Sequence, residues 1–246
     1  MQTATDVARI FGHGPLADCR PLDNGCIALS GQPAADLNMV FLTAAARQDE
    51  FDDALAAIRD KGVDAILVVE ENADEVRRMA SNAGLTEVGQ LPIMERRAAA
   101  LKPSPKHAVR LASPDETSVG NQLAAAAFSL NPATCDAAVP KAAMEQAGTD
   151  LWLAEEDGKP VGSGTFVRSG EHVGVYTMGT PPANQGRGVG RAILESAMAY
   201  YQEAGVTRFT LGATEKGFPL YERVGFETRS LPHVYVVGAS TQFPGA

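Results

Sequence analysis

The chain has 246 residues, 45% of them hydrophobic, and a formal net charge of −9. That length supplies apolar material for one large or two small cores; the acidic balance disfavours a nucleic-acid partner and suits an amine substrate or plain solubility. No apolar run approaches the roughly 20 residues a bilayer crossing needs, so no membrane role is expected. Residues 1–18 lack the basic and apolar segments of a signal peptide. Cys19, Cys26 and Cys135 have neither an even count nor zinc-site spacing, which points to a reduced, cytoplasmic protein without a metal.

Residues 1–24 read as polar and irregular, interrupted by Gly12, Gly14, Pro15 and Pro21. Strands are expected over 26–29 and 39–42, around a turn at Gly31-Gln32-Pro33. Phe51, Leu55 and Ile58 share one face of a helix that ends on Gly62. A buried strand follows at 65–69, a helix at 74–82 ending on Gly84, and a further strand over 86–95. Residues 98–106, with Pro103, Pro105 and two lysines, have no apolar face and read as a linker. The expected domains are therefore 1–100 and 107–246, joined by 101–106.

In the second half, 107–111 is a strand. Ser113 caps a helix with Pro114 in its first turn, and that helix runs to residue 128. Asn131-Pro132 stops it, and 140–147 forms a second helix. Residues 151–155 and 160–168 make a hairpin over Asp157-Gly158-Lys159. A strand from Val173 leads through Pro181-Pro182 and a glycine-dense loop into a helix with apolar residues at Val189, Ile193, Leu194, Ala197, Met198 and Tyr201. Then come a strand at 206–211, a short helix closed by Gly225, and one or two strands.

Part of this order occurs twice. Gly62, Gly84 and Leu91-Pro92 are echoed by Gly205, Gly225 and Leu231-Pro232, each glycine following a helix. We read this as an internal duplication, two similar α/β units in tandem. The first copy lacks the second's chemistry, with Ala80 opposite Tyr221 and no glycine in Thr43-Ala44-Ala45-Ala46-Arg47-Gln48.

Gly186, Gly188 and Gly190 stand where a helix begins, and a helix N-terminus offers unpaired N–H groups and positive dipole charge to a phosphate. The spacing Gly186-Arg187-Gly188-Val189-Gly190 breaks the dinucleotide fingerprint, and no Gly-Lys-Ser/Thr run exists for a P-loop. Gln185, Gly188 and Gly190 do fit Q/R-x-x-G-x-G/A. This resembles the pyrophosphate loop of the GNAT N-acetyltransferase superfamily, and Leu220-Tyr221-Glu222-Arg223-Val224-Gly225-Phe226 resembles that family's last helix. The resemblance covers about residues 107–236. It implies two GNAT-like units in tandem, the first degenerate, each a mixed, mainly antiparallel central sheet flanked by helices (α/β, α+β).

The resemblance further implies acetyl-CoA as co-substrate and a small-molecule amine as acceptor, acylated by direct attack in a ternary complex. Acylation of a protein lysine or N-terminus, or CoA binding without catalysis, are the competing readings. Backbone groups of Met178, Gly179 and Thr180 would meet the pantetheine arm. Residues Gln185, Gly186, Arg187, Gly188, Val189, Gly190 and Arg191 would hold the diphosphate. Tyr221 would protonate the departing thiolate, a role its phenol suits, although Leu220 and Val224 equally fit it as a core aromatic. For the general base, Glu171 leads, with His172, Glu155, Glu156 or a water chain as alternatives. His107 and His233 read as strand or surface histidines, and Cys135 has no histidine beside it to make it a nucleophile. Assembly is open, a homodimer being one option.

Overall fold

The computed structural model describes residues 2–101 and 107–238. In chain order the elements are α1 (Gln2–Phe11), β1 (Asp18–Leu22), β2 (Gly25–Leu29), β3 (Asn38–Leu42), α2 (Gln48–Lys61), β4 (Ala65–Val69), α3 (Asp74–Asn82), β5 (Glu87–Gln90) and β6 (Ile93–Arg97). They continue with β7 (Ala108–Leu111), α4 (Thr117–Phe128), α5 (Pro132–Ala138), α6 (Lys141–Met144), β8 (Thr149–Glu156), β9 (Lys159–Ser169) and β10 (His172–Gly179). The last are α7 (Val189–Glu203), β11 (Arg208–Gly212), α8 (Phe218–Arg223), β12 (Glu227–Ser230) and β13 (His233–Val237).

Two compact units result, one from the residues up to Pro92 together with those from Ser230 on, the other running from Ile93 to Arg229. The first holds a sheet ordered β1-β2-β3-β4-β13-β5, the second a sheet ordered β12-β6-β11-β10-β9-β8-β7. Each contains one parallel pair, β3 with β4 and β10 with β11, bridged by α2 and α7 respectively. Such a pair needs a crossover, which is why a helix stands between these strands. The expected fold class, two mainly antiparallel sheets flanked by helices, is what the chain adopts.

In each unit the crossover helix buries one stripe on the sheet. Phe51, Leu55 and Ile58 of α2 pack with Ile27, Leu29, Val40 and Leu67. Ile193, Ala197, Met198 and Tyr201 of α7 pack with Phe166, Val173, Val175 and Phe209. Each such side chain taken out of water stabilises its unit by about 1.5–3 kcal/mol. The four glycines of the sequence repeat, Gly62, Gly84, Gly205 and Gly225, all have φ between 64° and 91°. This is the left-handed conformation that ends a helix and that only glycine adopts cheaply.

The strand expected over 86–95 is two strands in two sheets. Its second part, β6, pairs antiparallel with β11, while β13 pairs antiparallel with β4 and β5. Each sheet thus takes a strand from the other half of the sequence, and the chain changes sheet at Leu91-Pro92 and again at Leu231-Pro232. Proline has no N–H to continue a ladder, so the repeated Leu-Pro marks where pairing stops. The linear division at 101–106 keeps β6 and β13 with their sequence neighbours, whereas their ladders group them the other way. Residues 102–106 of that linker lie outside the described residues.

Two readings of irregular chain are corrected. Residues 2–11 are helical, with Ala4, Val7, Ile10 and Phe11 buried, a stripe hidden among polar neighbours. Pro21 sits in β1, at the sheet edge, where a missing N–H costs nothing. Asn131-Pro132 starts a helix rather than only stopping one: the Asn131 side chain accepts from the Ala133 amide at 2.9 Å, and Pro132 is the first residue of α5.

Candidate active site

The candidate site lies in the second unit, where β10 parts from β11. The two run parallel from His172↔Arg208 to Val175↔Leu211, and no pairing follows. On its other side β10 meets β9 at Tyr176↔Thr165 and next at Gly179↔Ser163, so one residue is extra. Thr177 absorbs this bulge at φ 46°, a conformation costly for a β-branched residue. Its Oγ1 donates to Thr165 Oγ1 at 2.8 Å. The bulge turns Thr177 and Met178 out of the ladder and leaves backbone groups of β10 facing the gap.

Small residues let neighbouring elements close on this bend. A Cβ on Gly179 would lie 2.8 Å from Ala124 Cα on α4, one on Gly164 2.4 Å from Met178 Sδ, and one on Gly162 2.4 Å from a Val189 methyl on α7. Ser163 Oγ donates to the Gly120 carbonyl of α4 at 3.1 Å. Gly162, Gly164 and Ala124 were missed by motif reading. The signal was present, since glycines inside a strand mark a bulge or a close approach.

The loop after β10 rises through Pro181 to a bare helix end. Gln185 Nε2 donates to the Thr180 carbonyl at 2.9 Å and closes the turn. Gly186 and Gly188 have φ of 72° and 88°, and the space beside both is open. Gly188 precedes α7 without a capping side chain, and the first turn holds no acid. The amides of residues 186–191 make no hydrogen bond among the described residues; the first to do so is Ala192, to Gly188 O at 3.0 Å. Open space, bare N–H groups and the dipole of a 15-residue helix together suit an anion.

Helix α8 abuts that end. A Cβ on Gly190 would meet Leu220 Cδ2 at 3.1 Å and, at 3.9 Å, both Met178 Cε and Thr180 Oγ1. Tyr221, the next residue, is 8% exposed and packs edge-on to Phe226 with centroids 6.0 Å apart. Gly217 leaves room for the ring: a Cβ there would lie 2.8 Å from Tyr221 Cε2. The hydroxyl has no hydrogen-bond partner among the described residues. Burial pushes the phenol up to about 12, so it stays protonated at neutral pH.

The structure therefore gathers Met178, Gly179, Thr180, Gln185 to Arg191 and the Tyr221 helix at one end of the sheet. Arg187 and Arg191 do not stand free: Arg187 pairs with Glu156, and Arg191 Nε donates to Glu195 Oε1 at 2.9 Å. Glu171 is not part of the group. It precedes β10, at the opposite end of an eight-residue strand, roughly 25 Å from Gly179 at the usual rise. There it is an exposed turn residue accepting from Thr207 Oγ1 at 3.3 Å. The structure thus does not bring Glu171 to the bend at Thr177, which lies towards the other end of the strand.

His172 shares that far end, buried, with Nε2 2.7 Å from Thr210 Oγ1. Burial and then Arg208 hold its pKa below the usual histidine value. Glu155 is bonded to Arg110, as is Glu116, whose carboxyl that guanidinium helps hold at about 2. His233 bonds Glu87 at 2.9 Å within the first unit, and the His107 ring lies 3.0 Å from the Arg187 carbonyl. Cys135 is buried, and burial raises its thiol pKa. No group of three or more metal-ligating side chains occurs among the described residues, and none of their helices is long and apolar enough to cross a membrane.

A family model described as an acetyltransferase (GNAT) domain matches residues 114–238. Mycothiol acetyltransferase of Propionibacterium freudenreichii is 36% identical over 96 residues, which is 36% of this chain and 27% of that protein's length. The chain thus spans about a quarter of that relative. Over its full length the chain superimposes on a GCN5-related N-acetyltransferase from Kribbella flavida with TM-score 0.65 and 18% identity, covering 95% of that chain. A tandem GNAT protein from the clavulanic acid biosynthesis pathway aligns over 93% of this chain and 85% of its own, with TM-score 0.62 and 12% identity. These likenesses extend the shared fold to both units.

Proposed function

Because the chain belongs to the GNAT acetyltransferase family, we propose that it moves an acetyl group from acetyl-CoA to an amine of a small molecule by direct attack in a ternary complex. The observation that carries this reading is the row of unpartnered amides from Gly186 to Arg191 beside the strand that bends at Thr177. These amides hold the diphosphate, and the glycines admit its oxygens without a Cβ in the way. Bound acetyl-CoA supplies the thioester carbonyl that the amine attacks and the thiolate that leaves.

The freed backbone at Met178 and Gly179 lies beside the acyl group, where one N–H donating to the carbonyl oxygen as it gains charge contributes about 3–4 kcal/mol. A new C–N bond forms, the C–S bond breaks, and Tyr221 gives its proton to the sulfur. A buried phenol is a neutral acid across the physiological range. The amine's surplus proton leaves through solvent at the open gap, and solvent re-protonates the Tyr221 phenolate, which closes the cycle. A small-molecule acceptor is supported by the relative named for acetylating mycothiol and by the acidic surface that the net charge of −9 provides.

Calorimetry with acetyl-CoA, then thiol release with a panel of spermidine, glucosamine, histamine and lysine amide, tests the reading. Heat on binding and release with at least one amine are expected. The variant Tyr221→Phe should lower kcat on the order of 100-fold and leave acetyl-CoA affinity unchanged. In the wild type, ionisation of the phenol, raised to about 12, should cause no loss of kcat between pH 7 and pH 10. Binding without release from any amine would favour a CoA-binding protein without catalysis, and no heat at all would sink both.

A further inference from the structure

The carbonyl end of α8 is closed by a guanidinium that the motif reading had not marked. Arg96, on β6, is 7% exposed. Its Nε donates to the Val224 carbonyl at 2.9 Å, and its two terminal nitrogens donate to Arg97 O at 3.3 Å and Ala99 O at 3.4 Å. Gly225, at φ 91°, turns the chain just after the helix, and the Arg96 side chain lies in van der Waals contact with it. Val224 is the C-cap of α8, so the cation sits where the helix dipole is negative.

Burying a guanidinium against carbonyls alone is costly, and a cap can be made more cheaply by a surface lysine or by water. The opposing charge that acts on it is Glu195. That carboxylate is itself buried, with Oε2 unpartnered and Oε1 taken by Arg191 at the start of α7. Arg96 is therefore bonded to the end of the Tyr221 helix and feels the charge of the carboxylate that pairs with Arg191 in the first turn of the loop helix. Helix α8 has only six residues, too few to fix its own rotation, and it depends on what grips its ends.

We propose that Arg96 is a positioning residue for Tyr221: its buried guanidinium locks the carbonyl end of α8 and so aims the phenol at the gap beside Met178. The inference rests on the reading of Tyr221 as the proton donor. It gives the exchanged strand β6 a task in chemistry as well as in sheet pairing, because the residue comes from the half of the sequence that lacks the phosphate cradle.

The test is a double-mutant cycle of Arg96→Met and Tyr221→Phe, with thiol release from acetyl-CoA in the presence of the amine panel above. Methionine keeps the stem and removes the charge, an exchange that buried ionic sites often survive. Arg96→Met alone should lower kcat roughly tenfold or more while KM for acetyl-CoA moves less than about twofold. Added to Tyr221→Phe, it should lower kcat by less than about twofold further. Equal losses in both backgrounds would overturn the role of Arg96 and leave Tyr221 standing. An unchanged kcat in Tyr221→Phe would remove the premise, and the role of Arg96 with it.

A second readout needs no acceptor. With tyrosine labelled at Cζ, carbon NMR at pH 11 should show Tyr221 un-ionised in the wild type, as its value of about 12 requires. In Arg96→Met, water reaching a loosened ring should leave it mostly ionised, near the ordinary phenol value of about 10. In Arg96→Lys, which keeps the charge and one donor direction, the ionised fraction should fall between. Identical titration in all three would overturn the inference even if Arg96→Met proves too unstable for kinetics.

Discussion

The same strand–loop–helix step is built twice and finished differently. In the first unit, β3 pairs with β2 without a bulge and with β4 as far as Leu42↔Val69. The loop amides are then taken by the chain itself. Ala44 N–H donates to Glu70 Oε2 at 2.8 Å, Ala46 N–H to the Thr43 carbonyl at 3.1 Å, and Arg47 N–H to Glu50 Oε2 at 3.1 Å. Asp49 and Glu50 occupy the first turn of α2, where carboxylates answer the dipole. In the second unit the strand bends, the pair splays, and the equivalent helix end keeps its amides bare. One copy satisfies its helix internally; the other leaves those amides open.

The largest expected effect comes from making the second copy resemble the first. Gly188→Asp places a carboxylate at the bare end of α7, at a left-handed position that aspartate tolerates better than most residues. Acetyl-CoA affinity should fall roughly 10- to 100-fold, read by calorimetry, with the cooperative unfolding transition retained. Unchanged affinity would break the comparison.

The reverse change acts on stability alone. Glu50 accepts from the Asn24 amide at 2.7 Å, from Asn24 Nδ2 at 3.0 Å and from the Arg47 amide. Glu50→Ala strands these donors and should cost about 2 kcal/mol in urea unfolding, with acetyl-CoA affinity unmoved. Burial pushes the Glu50 carboxyl up, but the bonds from Asn24 and Arg47 outweigh it and the net pKa is lowered. The contribution is therefore complete above the unfolded value of about 4.3 and fades as pH falls through the lower folded value. The gap between wild type and variant should shrink in acid. The smallest effect is expected of Glu171→Gln, whose kcat should stay within about twofold because that carboxylate is far along the strand from the bend.

Local chemistry made most of the second unit legible. Helical spacing from Val189 to Tyr201 gave α7, and Gln185, Gly188 and Gly190 gave its bare end. The repeat glycines announced the helix stops that their positive φ now explains. What stayed hidden is non-local. Nothing in residues 93–97 says which sheet β6 will join, because Leu91-Pro92 reports a broken ladder and not the next partner. Nothing local marks Arg96 for the same reason, as its acceptor carbonyl at Val224 is 128 residues away. Glu171 misled because a carboxylate opening the central strand looks central; only the bulge at Thr177 tells which end of that strand is open.

The strand exchange also sets an order of events during synthesis. The first unit's β4 has its neighbour β13 near the far end of the chain, and even the bond from Leu231 to Glu71 spans 160 residues. Its sheet stays two strands short, β13 and the β5 that pairs with it, until residues 233–237 have left the ribosome, so the half made first waits for the second. Closing so long a loop is slow, and a β4 edge waiting in the open is a place where two nascent copies could trade strands with each other.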